Sequence, residues 1–260
     1  MTKQRLDLAL VERGIVESRS KAQGLILARR IRVNGEFVDK AGAPVRGDDE
    51  LELVELEHPW VGRGGMKLAG AFDAFPIDVA DKICADIGAS TGGFTHVLLA
   101  RGAATVHAID VGHGQLDVSL REDPRVINRE KVNARYLGPE DFDEPLDFVS
   151  IDVSFISLSL ILPAVRSILR EDGQVVALIK PQFEVGRREV GRGGIVRDPE
   201  KRQAAVDNVS ALARELGFEV RGLIESPVKG AEGNVEYLIW LGGSLPGRLE
   251  SGSSRLEDSD

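Results

Sequence analysis

The chain has 260 residues, 42% hydrophobic and 29% charged. That is an ordinary globular composition, and at ~100–200 residues per domain it makes one or two domains with a sizeable core. A single cysteine, Cys84, excludes a disulfide framework and a cysteine-built zinc site, and a reducing, cytoplasmic compartment is expected. The longest apolar stretches, such as Val175–Ile179, fall far short of the ~18 residues of a membrane span. The N-terminus shows no secretory signal. Net charge is −9, but residues 1–46 carry ten Lys and Arg against five acids. A basic head of +5 therefore precedes an acidic body of −14.

In chain order, residues 1–57 read as a small α+β module. Leu6, Leu8, Ala9, Leu10 and Val11 predict a short helix ended by Gly14. Ser18 is the N-cap of a second helix, in which Ala22, Leu25, Ile26 and Ala28 recur at helical spacing up to Arg30. Apolar alternation around Asn34-Gly35 predicts a tight hairpin, and Leu51, Leu53 and Leu56 continue as a strand. Residues 58–62, with Pro59 and Trp60, read as a linker whose tryptophan docks between domains. Residues 63–242 then alternate between types. Strands are expected at 82–87, 104–110, 126–129, 147–152, 174–180, 218–226 and 235–241. Helices are expected at 65–75, 91–101, 114–122, 157–170 and 199–216. This order implies a mostly parallel α/β sheet with an antiparallel edge strand. The polar residues 243–260 are expected to be a disordered tail. Cys84, Phe94 and Phe155 read as core residues. The histidines His58, His96, His107 and His113 lack metal-ligand spacing, so no metal site is expected.

Two patterns carry chemistry. Asp86-Ile87-Gly88-Ala89-Ser90-Thr91-Gly92-Gly93-Phe94 follows a strand and opens a helix, where glycines admit a ligand to the backbone and the helix N-terminus offers free N–H groups. It fits neither the phosphate loop, which needs a terminal Gly-Lys-Ser/Thr, nor the dinucleotide fingerprint. An acid ahead of the first glycine suits a cofactor with a cationic amino acid moiety, as in S-adenosylmethionine. Asp110 closes the next strand, 24 positions on, where an acid accepts hydrogen bonds from a ribose diol. The second pattern is a set of polar residues at element ends: Lys67, Asp152, Lys180 and Glu236. Asp152 and Lys180 close apolar strands on the side where open α/β sheets bind ligands, and a charge there is costly unless paired.

With these motifs the chain resembles the TlyA (haemolysin A) family of ribosomal RNA 2′-O-ribose methyltransferases. The resemblance spans about residues 3–242. It is carried by Ser18-Arg19-Ser20, Val33-Asn34-Gly35, Arg63-Gly64-Gly65-Met66-Lys67-Leu68, the glycine loop through Thr95, Asp152-Val153-Ser154-Phe155-Ile156-Ser157, Ile179-Lys180-Pro181-Gln182-Phe183-Glu184 and Gly233-Asn234-Val235-Glu236-Tyr237. It implies an S4-type RNA-binding head on a Rossmann-like, FtsJ-type S-adenosylmethionine-dependent methyltransferase body. It also implies a Lys-Asp-Lys-Glu catalytic set, matched by Lys67, Asp152, Lys180 and Glu236. The cofactor contacts are then Asp86, Gly88, Ala89, Ser90, Gly92, Phe94, Asp110, Val111, Asn133 and Asp152. Where the family often carries Arg-x-Trp-Val, this chain has His58-Pro59-Trp60-Val61.

A 2′-hydroxyl is a poor nucleophile, so the expected mechanism aligns it for in-line attack on a methyl sulfonium. Lys180 stabilises charge on the oxygen, and Asp152 and Glu236 hold that lysine. The expected RNA contacts are Arg5, Arg19, Lys21, Arg29, Arg32, Arg63, Arg187 and Arg188, gripping phosphates of structured ribosomal RNA. The large subunit is the favoured target, and the small subunit an additional one. The enzyme is expected to act as a monomer, with no membrane partner. Three other classes stay open on sequence: a ribosome-binding protein without catalysis, a membrane-active haemolysin and an oxidoreductase.

Overall fold

The computed structural model describes residues 3–27, 29–54, 58–186, 189–230 and 233–243. The head consists of β1 (Gln4–Arg5), α1 (Leu6–Glu12), α2 (Arg19–Leu27), β2 (Ile31–Val33), β3 (Glu36–Phe37), β4 (Pro44–Val45) and β5 (Leu51–Leu53). The helical spacing of Leu6, Ala9 and Leu10, and of Ala22 and Ile26, puts these side chains into one core with Ile31 and Val45. Asn34 and Gly35 both take positive φ (52° and 82°), as a type I′ hairpin turn requires, and β2 pairs antiparallel with β3 and β5. Ser18 does cap α2, its Oγ accepting from the Lys21 N–H. The helix stops at Leu27, earlier than Arg30, and Arg29 turns the chain with φ 56°. The two-residue pair β1–β4 was not predicted, because two residues show no alternation. Leu56 lies outside the described residues.

The body follows as α3 (Gly64–Ala74), β6 (Ile83–Ile87), α4 (Gly93–Ala100), β7 (Thr105–Asp110), α5 (Val118–Arg121), β8 (Val126–Glu130), β9 (Leu146–Ile151), α6 (Leu162–Ile168), β10 (Leu169–Ile179), α7 (Pro181–Glu184), α8 (Pro199–Glu215), β11 (Phe218–Glu225) and β12 (Tyr237–Gly243). The sheet order is β11-β12-β10-β9-β6-β7-β8. β12 is antiparallel to both neighbours, and the other pairs are parallel. Apolar runs such as Val175–Ile179 are buried on both faces, as central strands of a covered sheet must be. One core packs Leu162, Val165, Val206 and Val209 of α6 and α8 on the sheet. The other packs Leu68, Ala71, Val97 and Leu98 of α3 and α4.

Three segments differ from expectation. The helix expected over 114–122 is the single turn α5, capped by Asp117 and preceded by Gly114 in the left-handed region. The helix expected over 157–170 splits: a 3-10 turn at Leu158–Leu160 precedes α6, and Leu169 already pairs with Leu146 in the sheet. Trp60 packs within the body, edge-on to His96 and over Gly65, rather than docking between domains. Gly243 ends β12, and the rest of the expected tail, 244–260, lies outside the described residues.

Candidate active site

Both predicted patterns meet where the strand order reverses. β6 and β9 are parallel neighbours, so the glycine loop after β6 and Asp152 after β9 emerge side by side at the carboxyl edge. The Asp152 N–H donates to the Ile87 carbonyl at 2.9 Å. Gly88 has φ +85°, and a Cβ there would lie 2.5 Å from the Asp152 carbonyl oxygen. A Cβ on Gly93 would lie 2.7 Å from the Gly65 backbone nitrogen. These glycines serve first to bring backbone segments together: loop against Asp152, and α4 against α3.

Asp152 is the centre of an ionic chain. Its Oδ1 lies 2.5 Å from Lys180 Nζ and its Oδ2 lies 3.7 Å from Lys67 Nζ. Lys67 Nζ donates to Glu236 Oε2 at 2.8 Å, and Lys180 Nζ donates to Ser154 Oγ at 2.9 Å. Four elements supply these groups: Lys67 from the first turn of α3, Asp152 after β9, Lys180 after β10 and Glu236 just before β12. All four predicted residues are thus in one cluster. The expected pairing is corrected, however: Glu236 holds Lys67, and of the two carboxylates only Asp152 is paired with Lys180. The reason is that α3 packs across this end of the sheet and inserts Lys67 beside Glu236. Burial drives the Lys67 ammonium toward its neutral form, but the charges of Asp152 and Glu236 outweigh it and raise its pKa. Burial likewise opposes ionisation of Asp152, and Lys180 and Lys67 reverse this, holding it below the usual carboxylate range. Two ammoniums and two carboxylates compensate each other in a mostly buried group.

Two cavities, of about 530 and 500 Å³, flank the loop and share Gly88, Ser90 and Asp152. Ala89, Phe94, Arg63 and Lys67 line the first. Asp110, Val111, Asn133, Val132, Ala134 and Ile161 line the second. Asp110 also anchors the loop, accepting from the Ser90 N–H at 2.8 Å and the Gly112 N–H at 2.6 Å. Asn133 Oδ1 accepts from the Arg135 N–H at 3.2 Å. Asp86 and Gly92 face neither cavity. Asp86 is fully buried and accepts from the Thr95 N–H and Oγ and from Ser150 Oγ, so it ties β6 to α4. Burial pushes its carboxyl up to about 7. Gly92 is the left-handed N-cap of α4, packed on Leu116 and Leu120.

Phe155 is a second correction. Expected in the core, it is 91% exposed, with φ 65° and its ring 5.2 Å from that of Phe183 at the mouth of the second cavity. A bulky residue in this region is a backbone outlier of the kind that marks working sites. Ser154 and Phe155 were missed as site residues, although both lie in the quoted Asp152–Ser157 segment. Of the candidate RNA contacts, Arg29 and Arg63 line the first cavity. Arg5 and Arg19 both bind the buried Asp7. Lys21 pairs with Glu17, and Arg32 pairs with Glu52 and lies over Phe37. Arg187 and Arg188 lie outside the described residues.

This fold and loop agree with a comparison of the whole chain: residues 60–243 match the FtsJ-like methyltransferase family. The chain belongs to that family. Residues 4–51 match the S4 domain, so this FtsJ-like methyltransferase carries an S4 head. It is 49% identical over 238 residues to the 16S/23S rRNA (cytidine-2′-O)-methyltransferase TlyA of Mycobacterium tuberculosis, covering 91% of this chain and 89% of that one. It is 34% identical over 193 residues to the 23S rRNA (cytidine-2′-O)-methyltransferase TlyA of Campylobacter jejuni, 74% of each chain. Among solved structures, a protein of Streptococcus thermophilus assigned to the hemolysins is 46% identical with a TM-score of 0.73, covering 94% of this chain and 90% of that one. S-adenosylmethionine is the methyl donor of this family of folds, in keeping with the loop and Asp110.

Proposed function

We propose that the chain methylates a ribose 2′-oxygen of ribosomal RNA, chiefly in the large subunit and also in the small one, acting as a cytoplasmic monomer. The observation that carries this reading is the Lys180–Asp152–Lys67–Glu236 chain set against the glycine loop of a methyltransferase body with an S4 head. The 16S/23S and 23S specificities of the relatives support the RNA target.

The residues present fit S-adenosylmethionine. The second cavity offers an apolar nucleoside slot with Asp110 at its edge for a ribose diol. Its neighbour across Gly88 and Ser90 has room for the amino acid arm, and each volume is that of a small-molecule site. When bound, the cofactor supplies an electrophilic methyl on sulfonium. Lys180, held by Asp152 and Ser154, points a positioned ammonium at the 2′-oxygen and stabilises the charge that develops there. Asp152 accepts the hydroxyl hydrogen and orients a lone pair toward the methyl. The oxygen becomes strongly acidic as its new bond forms, so even a carboxylate of low basicity takes the proton. Lys67 and Glu236 fix Asp152 in that orientation. Phe155 offers a face on which the target base stacks once it leaves its helix. The role of Asp86 is to hold the loop through Thr95.

The test is chemical mapping of ribosomal RNA from cells with and without the protein. A 2′-O-methylated nucleotide resists alkaline cleavage. Resistance at a cytidine that disappears on deletion is expected; identical cleavage patterns in both RNAs contradict the proposal.

A further inference from the structure

The cleft that holds the first cavity has two walls. Leu27, Arg29, Asp39 and Lys40 of the head form one. Arg63, Lys67 and the segment Val228–Lys229–Gly230 of the body form part of the other. Lys229 belongs to no motif in the sequence and to no family pattern above. It is exposed on the cavity wall, and no carboxylate pairs with it among the described residues. Several head cations differ in this, because Arg5, Arg19, Lys21 and Arg32 already have acidic partners.

The backbone that carries Lys229 is fixed to the catalytic cluster. The Ser226 N–H donates to the Glu236 carbonyl at 2.8 Å, and Ser226 Oγ donates to the Val228 carbonyl at 2.8 Å. The Gly230 N–H donates to the Asn234 carbonyl at 2.9 Å. Gly230 lies directly on the Glu236 carboxylate: a Cβ there would sit 2.0 Å from Oε1. Lys229 is therefore one residue from the backbone that seats Glu236, exposed at the mouth of the cleft with no carboxylate among the described residues paired to it. The ionic chain itself offers an incoming anion no net charge, since its two ammoniums are matched by two carboxylates.

We infer that Lys229 is a positioning residue that grips an RNA phosphate next to the ribose presented to Asp152 and Lys180. This deepens the ribosomal RNA reading and rests on it for the identity of the RNA. The experiment measures equilibrium binding of large-subunit ribosomal RNA to the full chain across a salt series, beside calorimetric binding of S-adenosylmethionine. Lys229→Ala should weaken RNA binding about 3- to 10-fold and Lys229→Glu more. Each should lower the slope of log K against log salt by about 1, the mark of one lost phosphate contact. Lys229→Arg should restore both, and cofactor affinity should not move. Wild-type RNA affinity and slope in Lys229→Glu overturn the inference. So does a loss confined to cofactor binding, which makes Lys229 a partner of the cofactor carboxylate instead. Methyl transfer plays no part in this assay. Lys229-dependent RNA binding by a chain that methylates nothing sinks the enzymatic reading and leaves the phosphate grip standing.

Discussion

Asp86, the carboxylate ahead of the glycine loop, is engaged by the protein's own groups. Its oxygens are used by Thr95 and Ser150, and full burial raises its pKa from 3.8 to about 7. Below about 3.8 the group is protonated folded and unfolded alike. Between about 3.8 and 7 the unfolded chain ionises while the folded one keeps its proton, so stability falls as pH rises, and the decline levels off above about 7. Asp86→Asn keeps an acceptor for Thr95 and removes this titration. The stability of the variant relative to the parent is expected to increase between pH 5 and 8, read as urea midpoints at the two pH values. A constant difference contradicts the assignment. Ser154 is a residue the sequence did not single out. Its Oγ accepts from Lys180 Nζ, so Ser154→Ala should lower the methyl-transfer rate about 10-fold with little change in cofactor affinity. Charged residues closing apolar strands were legible because burial demands a partner. Which partner each lysine takes was not, because that depends on how α3 crosses the sheet.

At the scale of elements, alternation found all seven strands of the main sheet, and helical spacing found α3, α4 and α8. Failures fall where tertiary pairing overrides local pattern. Leu169 and Arg170 continue a helical spacing yet join β10, because Leu169 meets Leu146 across the sheet. The pair β1–β4 is too short to have a period. The glycine loop was legible as a binding loop, but the demand for glycine at Gly88 comes from Asp152. Gly88→Ala forces a side chain into a left-handed φ and within 2.5 Å of a carbonyl oxygen. We expect a loss of about 2–4 kcal/mol in stability and at least a tenfold loss in cofactor affinity. Unchanged cofactor affinity would show that the loop tolerates displacement. In the head, the same reasoning applies to Asp7. Arg5 and Arg19 both engage its fully buried carboxylate, and Arg5 above all holds its pKa well below the usual range. A depressed pKa gives stability that is present above about 4 and lost as pH falls below it. Asp7→Ala should cost about 1–3 kcal/mol at neutral pH, discounted because both arginines are half exposed. The cost should shrink toward acid pH, which thermal melts would show.

For the molecule as a whole, the division of charge is the most informative single number in the sequence. The chain is acidic with a basic head, and the cleft between head and body carries cations from both. No helix among the described residues is long and apolar enough to cross a membrane. Domain order and body fold were readable because the chemistry-bearing motifs come in a fixed sequence. The exposure of Phe155 was not, because a positive φ at one phenylalanine leaves no periodic trace.

Transfer of labelled methyl from S-adenosylmethionine to purified ribosomal subunits and their RNAs, with Lys180→Ala beside the parent chain, tests whether the ionic chain catalyses methylation of ribosomal RNA. Label in ribosomal RNA is expected, reduced by a factor of about 10²–10³ or more in the variant while cofactor binding persists. Equal labelling by folded Lys180→Ala protein, or no label from parent protein that binds the cofactor, would contradict it.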